Sequence, residues 1–207
     1  MVDVSGTQPP WRVLLLGGSS GSGKSTLAPP LARHFGISWL EADDVRLAMQ
    51  RVTTPATHPA LHFFLAENME TRPDFWGLSP EAFRDGLIGV GEVVSHALEP
   101  VVTNHVAQAR PVVLEGDGIL PAMAAQCVFA GLDVDDAVRA IFLIESDSEV
   151  LLATMQGRMR DGALRNAARA SWLYGLWLRE EAVRRGLPVL EARPYETLLS
   201  RALLLLT

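Results

Sequence analysis

Lysine and cysteine are almost absent from this sequence. Its 18 basic residues divide into 17 arginines and one lysine, Lys24, and its single cysteine is Cys127. With 24 acidic residues the formal net charge is −6, whereas proteins that bind nucleic acids carry an excess of positive charge. A lone cysteine forms no intramolecular disulfide, and a free thiol is typical of a reducing compartment. We therefore expect a cytoplasmic protein that binds no nucleic acid.

Long hydrophobic runs are missing as well. Apolar stretches such as residues 13–16 and 203–206 are far shorter than the roughly 18–20 apolar residues of a membrane span, so we expect no membrane partner. Residues 1–10 hold one acid, no base and two prolines, which is unlike a signal peptide. A chain of 207 residues suits one core. We predict a flexible tail over residues 1–11 and a single domain over residues 12–207.

Short apolar runs alternate with helical patterns along that domain. The predicted strands are residues 13–16, 37–40, 111–114, 140–144 and 188–191. Apolar residues recur at helical spacing over residues 80–109, where Pro100 should kink or split the helix. Strands joined by helical crossovers predict an α/β fold of three layers, with a five-stranded parallel sheet flanked by helices. Residues 52–110 are predicted to be a helical insertion in this domain.

A glycine-rich loop follows the first predicted strand. Gly18 is followed after four residues by Gly23-Lys24-Ser25, which matches the phosphate-loop pattern, and a helix is predicted directly after it. Backbone amides of such a loop surround phosphates, the lysine adds a full charge, and the serine hydroxyl binds Mg²⁺. The predicted ATP-binding residues are therefore Gly18, Ser19, Ser20, Gly21, Ser22, Gly23, Lys24, Ser25 and Thr26.

The single lysine also excludes two classes of nucleotide-binding protein. Guanine-specific GTPases have an Asn-Lys-x-Asp motif, which needs a second lysine. Protein kinases place their nucleotide lysine on a strand downstream of the glycine loop. Neither arrangement is possible here, because Lys24 lies within the loop itself.

Carboxylates follow the second and third predicted strands, at the edge of the sheet where ligands bind in parallel α/β folds. Asp43 and Asp44 follow the second strand, and Glu115 and Asp117 follow the third. We predict that Glu115 holds Mg²⁺ through water and that Asp43 is the base that accepts the proton of a substrate hydroxyl. Asp43 and Asp44 could instead cap the next helix, and Glu115 and Asp117 could be turn residues.

Arginines near these carboxylates are candidates for binding anions. Arg46 could hold an anionic substrate or pair with Asp43, and Arg72 lies in a region rich in aromatic residues that we assign to the substrate side. Residues 158–169 contain four arginines and are predicted to be a lid whose Arg158 and Arg160 stabilise a transferred phosphoryl group. A solvated helix face is the alternative interpretation of this segment.

The sequence resembles phosphate-loop kinases that act on small molecules, in residues 15–26, 41–46, 113–121 and 184–190. These include nucleoside monophosphate, shikimate, gluconate and chloramphenicol kinases, and the resemblance is strongest to 2-phosphoglycerate kinases. The resemblance implies transfer of the γ-phosphoryl group of ATP, with Mg²⁺, to a hydroxyl of a small molecule. It implies catalytic roles for Lys24, Asp43 and the two lid arginines. It also implies that the loop after the last strand lies beside adenine, and that loop is Arg193, Pro194 and Tyr195.

The sequence departs from these families on the substrate side. After Glu115 it lacks the arginine with which nucleoside monophosphate kinases bind their second nucleotide, and it has Asp117 where 2-phosphoglycerate kinases carry histidine or a similar residue. Anionic and neutral acceptors therefore both remain open, and either Asp43 or Asp117 could be the base. A nucleoside monophosphate kinase, or a nucleotide-binding ATPase that acts as a switch, is the alternative function. The oligomeric state is also open.

Overall fold

A twisted parallel sheet forms the centre of the protein. The computed structural model describes residues 8–64, 77–156 and 161–206. In this part of the chain the sheet's five strands are β1 Val13–Gly18, β2 Ser38–Glu41, β3 Val112–Gly116, β6 Val138–Ile144 and β7 Val189–Glu191, while β4 Val128–Phe129 and β5 Leu132–Asp133 pair apart from it. The five strands pair in the order β2-β3-β1-β6-β7, and every neighbouring pair is parallel. This confirms the five-stranded sheet, because each predicted strand matches an observed one within about two residues.

Helices connect these strands and cover the sheet. Their bounds are α1 Lys24–Phe35, α2 Ala42–Val52, α3 Pro80–Ala107, α4 Pro121–Ala124, α5 Ser148–Met155, α6 Asp161–Arg184 and α7 Leu198–Leu204. Short 3₁₀ turns lie at Asp135–Ala137 and Tyr195–Thr197. Along the described ranges, no helix combines the length and the apolarity that crossing a bilayer requires.

Alternating side chains of β1 separate the two halves of the core. Val13 and Leu15 pack with apolar residues of α3 and α6, whereas Leu14 and Leu16 pack with those of α1 and α7. All four side chains are fully buried, as expected for a strand with helices on both faces. The fold is therefore three-layered, with the sheet between two helical layers.

The ends of several elements differ from the predictions. Trp11, which we assigned to the flexible tail, is fully buried and packs edge-on against Phe35, because its indole fills the layer beneath α1. Pro100 does not split α3, which runs unbroken from residue 80 to residue 107. The helix that begins at Pro121 ends at Ala124, and a hairpin follows, made of β4 Val128–Phe129 and β5 Leu132–Asp133.

The predicted lid, residues 158–169, lies partly outside the described residues. Arg158 and Arg160 lie outside the described residues, as does Arg72. The rest of the segment, residues 161–169, forms the beginning of the regular helix α6. On that helix Arg169 places its guanidinium 4.2 Å from the centre of the Trp172 ring. The lid therefore stays a prediction.

Candidate active site

The glycine-rich loop turns sharply between β1 and α1. Gly21 and Gly23 have φ angles of +83° and +92°, a left-handed conformation that residues with a side chain rarely adopt. A Cβ atom at Gly23 would also lie 2.9 Å from Cε1 of Tyr195. The two glycines thus keep the loop free of side chains at the N-terminus of α1, where backbone amides and the helix dipole favour an anion.

Lys24 is buried beneath this loop. Its residue is only 6% exposed, and its Nζ atom donates a hydrogen bond to the carbonyl oxygen of Ser19 at 2.9 Å. The same Nζ atom lies 2.5 Å from Oδ1 of Asp117, which follows β3. The only lysine of the chain is therefore held by the loop on one side and by a carboxylate of the neighbouring strand end on the other.

Glu115 lies next to this ion pair at the end of β3. It is 3% exposed, and burial raises its pKa, although a hydrogen bond with the Ser25 side chain and the charge of Lys24 lower it in part. The Ser25 hydroxyl and the Glu115 carboxylate supply oxygen donors, which Mg²⁺ prefers. In the described parts of the chain no three His, Cys, Asp or Glu side chains group to hold a metal. The pair fits an ion that takes its other ligands from phosphate and water.

A cavity of about 280 Å³ opens over the loop and these side chains. The predicted site residues that line it are Ser20, Gly21, Gly23, Lys24, Ser25, Thr26, Asp43, Glu115, Asp117 and Tyr195. Gly18, Ser19 and Ser22 are buried below it. Glu41, Gly116 and Thr154 also line this cavity and were not predicted as site residues. We call this space the phosphate-loop cavity.

A second cavity of about 230 Å³ adjoins the first, and we call it the apolar cavity. Asp43 and Asp117 line both cavities, so they stand at the junction between them. Arg46 lines the apolar cavity, and its Nε atom donates to Oδ1 of Asp43 at 3.2 Å. The remaining wall comes from the turn after α2 and from one face of α3.

The other predicted site residues lie at the edge of the site or away from it. Asp44 is exposed in the first turn of α2 and lines neither cavity. The guanidinium of Arg193 stacks 4.6 Å from the centre of the Tyr195 ring, and its Nε atom donates to Glu145 at 2.9 Å. Pro194 is exposed between them. Of the predicted adenine loop, the side chain of Tyr195 is the one that reaches the phosphate-loop cavity.

One face of α6 holds the glycine-rich loop and the loop after β3 in place, and these contacts were not predicted from the sequence. Ser171 donates a hydrogen bond to the carbonyl oxygen of Ser20 at 2.7 Å, and the Tyr174 hydroxyl donates to the carbonyl oxygen of Asp117 at 2.6 Å. Burial raises the pKa of Tyr174 well above its ordinary value, so its hydroxyl stays a donor. In the sequence, the i, i+3 spacing of Ser171 and Tyr174 indicates that they share a helix face, but it does not reveal which loops they contact.

The strand order, the glycine-rich loop and the buried lysine define the phosphate-loop kinase fold. In agreement, a sugar kinase structure from Janibacter is similar over 95% of each chain, with a TM-score of 0.53 and 22% identity. Shikimate kinase from Bacteroides thetaiotaomicron is similar over 94% of this chain and 97% of its own, with a TM-score of 0.51 and 18% identity. These similarities establish the fold.

Two curated relatives match one segment of the chain. A segment of 51 residues is 43% identical to 2-phosphoglycerate kinase of Pyrococcus furiosus and 41% identical to that of Pyrococcus horikoshii. The matched segment is 24% of this chain and spans only 17% of the length of each relative. No family model matches the chain.

Proposed function

We propose that the protein is a kinase that transfers the γ-phosphoryl group of ATP, with Mg²⁺, to a hydroxyl group of a small molecule. The observation that carries the proposal is the pair of carboxylates, Asp43 and Asp117, shared by the phosphate-loop cavity and the apolar cavity. A kinase needs one site for the nucleotide, a second for the acceptor, and a proton acceptor between them. The fold that this chain shares with known kinases supports the same interpretation.

Asp43 is the better candidate for the base. Oδ1 of Asp117 lies 2.5 Å from Nζ of Lys24, and the backbone of Asp117 is tied to Tyr174, so Asp117 is engaged by its surroundings. The side chain of Asp43 is 56% exposed, borders both cavities and has the longer ion-pair contact, with its Oδ1 atom 3.2 Å from Nε of Arg46. In the proposed step Asp43 accepts the hydroxyl proton as the acceptor oxygen bonds to the γ-phosphorus and ADP leaves.

Lys24 and the loop would hold the phosphates of ATP. Ser25 and Glu115 would hold Mg²⁺, which when bound neutralises charge on the phosphates. The region over residues 52–110 would form the acceptor side, since it contributes most of the wall of the apolar cavity. Arg72, Arg158 and Arg160 remain proposed contacts with substrate or with the transferred group, and Asp44 is left out because it borders neither cavity.

The test is ATP turnover with Mg²⁺, measured as ADP release with and without hydroxylated acids, sugars, nucleosides, nucleotides and hydroxylated antibiotics. We expect turnover that depends on one class of acceptor and is lost in Lys24→Ala. Slow ATP hydrolysis that no acceptor accelerates would contradict the proposal and favour a nucleotide-dependent switch.

A matched pair of variants tests the base. Asp43→Asn should abolish acceptor phosphorylation and leave ATP affinity near normal, because Asn cannot take up the proton. Asp44→Asn makes the same change one residue further along α2, outside both cavities, and should behave as the wild type. Full turnover in Asp43→Asn would show that Asp43 is not the base, and Asp117→Asn would then be the next variant to assay.

A further inference from the structure

The apolar cavity has a continuous hydrophobic wall. Leu87, Val90, Gly91 and Val94 are spaced i, i+3, i+4 and i+7 along α3, so they share one face of that helix. Leu61 and Phe64, from the turn after α2, complete the wall. This face of the cavity favours the burial of an apolar group. The charged side chains of the lining are Asp43, Arg46 and Asp117.

Among the described residues, the charged side chains that line this cavity are already paired, Asp43 with Arg46 and Asp117 with Lys24. Asp43 and Asp117 supply two carboxylates, and Arg46 supplies the one guanidinium among the described residues that line it. That guanidinium is already engaged, since its Nε atom donates to Asp43 at 3.2 Å and its Nη1 atom donates to Gln50 at 3.4 Å. An anionic acceptor would lose its hydration here and find no unengaged cation among the described residues of the lining.

The wall is held in place by close packing. A Cβ atom at Gly118 would lie 2.6 Å from Cγ1 of Val94, so the loop after β3 touches α3 directly. The Ser95 hydroxyl donates to the carbonyl oxygen of Gly118 at 2.7 Å and accepts from the amide of Leu120 at 3.0 Å. The apolar cavity is therefore a formed space between a helix and a fixed loop.

Building on the proposed function, we infer that the acceptor is an uncharged alcohol with an apolar body. The body fills the space against α3, and the hydroxyl lies at the junction, near Asp43 and Asp117. The hydroxyl O–H bond breaks, its proton goes to Asp43, a new O–P bond forms to the γ-phosphorus of ATP, and the bond from that phosphorus to ADP breaks. Phosphorylated acids and nucleotides are poor acceptors for the same cavity.

The experiment compares two alcohols that carry the same diol, 1-phenylethane-1,2-diol and glycerol, with 2-phosphoglycerate and AMP as anionic acceptors. Turnover is measured with Mg-ATP, and binding is measured by calorimetry in the presence of a non-hydrolysable ATP analogue. We expect kcat/KM for the phenyl diol to exceed that for each of the other three at least tenfold. Preference for 2-phosphoglycerate, AMP or glycerol would overturn the inference and leave the kinase proposal intact.

The calorimetry separates the two proposals if no acceptor is phosphorylated. Binding of the phenyl diol but not of glycerol would support the inferred ligand class and contradict phosphoryl transfer. Absence of phenyl diol binding would overturn the inference whatever the turnover.

A pair of truncations locates the effect. Leu87→Ala removes part of the apolar wall and should weaken the phenyl diol severalfold in KM and in calorimetry, with KM for ATP unchanged. Leu47→Ala makes the same change at a side chain that is 55% exposed on α2 and lines neither cavity, so it should leave both values unaltered. Equal effects of the two substitutions, or none from Leu87→Ala, would contradict binding against α3.

Discussion

Asp117→Asn should make the protein less stable and, at the same time, a better binder of ATP. Nζ of Lys24 has two partners, the carboxylate of Asp117 at 2.5 Å and the carbonyl oxygen of Ser19 at 2.9 Å. Nucleotide phosphates bound in the loop would need the same ammonium group. Asp117 therefore stabilises the nucleotide-free protein through a contact that ATP has to replace.

The size of the effect follows from how deeply the pair is buried. Removing one partner of a fully buried ion pair costs about 3–5 kcal/mol, and an exposed pair contributes about 0–1 kcal/mol. The Lys24 side chain is 7% exposed and that of Asp117 is 31% exposed, which places this pair between the two limits. We expect Asp117→Asn to lower the free energy of unfolding by about 1–3 kcal/mol. If the phosphates replace the contact fully, ATP should bind about 5–150-fold more tightly.

Thermal unfolding measures the loss of stability in Asp117→Asn, and calorimetry measures its gain in ATP affinity. The melting temperature of the variant should fall by about 2–4 °C per kcal/mol without nucleotide, and most of that difference should vanish in saturating Mg-ATP. Asp85→Asn breaks a surface pair with Arg84 and should change neither quantity appreciably. A loss of stability that persists at saturating ATP, with unchanged affinity, would show that the phosphates do not take over Lys24. Weaker ATP binding would show that Asp117 contacts the nucleotide or its metal directly.

Three further substitutions have expected outcomes. Glu115→Gln should raise the melting temperature at pH 7, because burial disfavours the charged carboxylate. The raised pKa makes native Glu115 bind its proton more tightly than the unfolded chain does, so stability falls as pH rises above the ordinary value of 4.5. The advantage should disappear in unfolding curves below that pH, and its persistence there would contradict this cause. Trp11→Ala should cost about 3–5 kcal/mol in urea unfolding, because the indole is fully buried, and a loss below about 1 kcal/mol would return Trp11 to the tail. Tyr174→Phe removes the bond to the Asp117 carbonyl and should lower stability by about 1 kcal/mol, with reduced kcat in the ADP assay. Unchanged stability and kcat would contradict its positioning role.

The phosphate-binding part of the site could be predicted because its determinants are contiguous. The pattern from Gly18 to Ser25 is defined by fixed spacings within eight consecutive residues. The strand before it and the helix after it also show as local patterns of apolar residues. The residues after β2 and β3 could be predicted almost as well, because parallel strands end at one edge of the sheet. Asp43, Glu115 and Asp117 accordingly line one cavity although 72 residues separate Asp43 from Glu115 in sequence.

The contacts made by α6 could not be predicted in this way. Ser171 and Tyr174 contact Ser20 and Asp117 because tertiary packing places one face of α6 against both loops. Helical periodicity indicates which face is buried but not which loop that face meets. The assignment of Trp11 to the tail was wrong for a related reason. Two prolines before it indicate a loose tail, whereas its burial depends on the ring of Phe35, which is distant in sequence.

The charges at the junction of the cavities favour an order of binding. Among the described residues, Arg46 is the cationic partner of Asp43 and Lys24 that of Asp117. Arg46 lines the apolar cavity and Lys24 lines the phosphate-loop cavity, so nucleotide phosphates compete for Lys24 and leave the other pair intact. Filling the phosphate-loop cavity would free the Asp117 carboxylate at the wall of the apolar cavity, where it can accept a hydrogen bond from a second hydroxyl of a neutral acceptor while Asp43 takes the proton of the reacting one. An alcohol is therefore bound better after ATP than before it, whereas an anion gains no partner from the exchange.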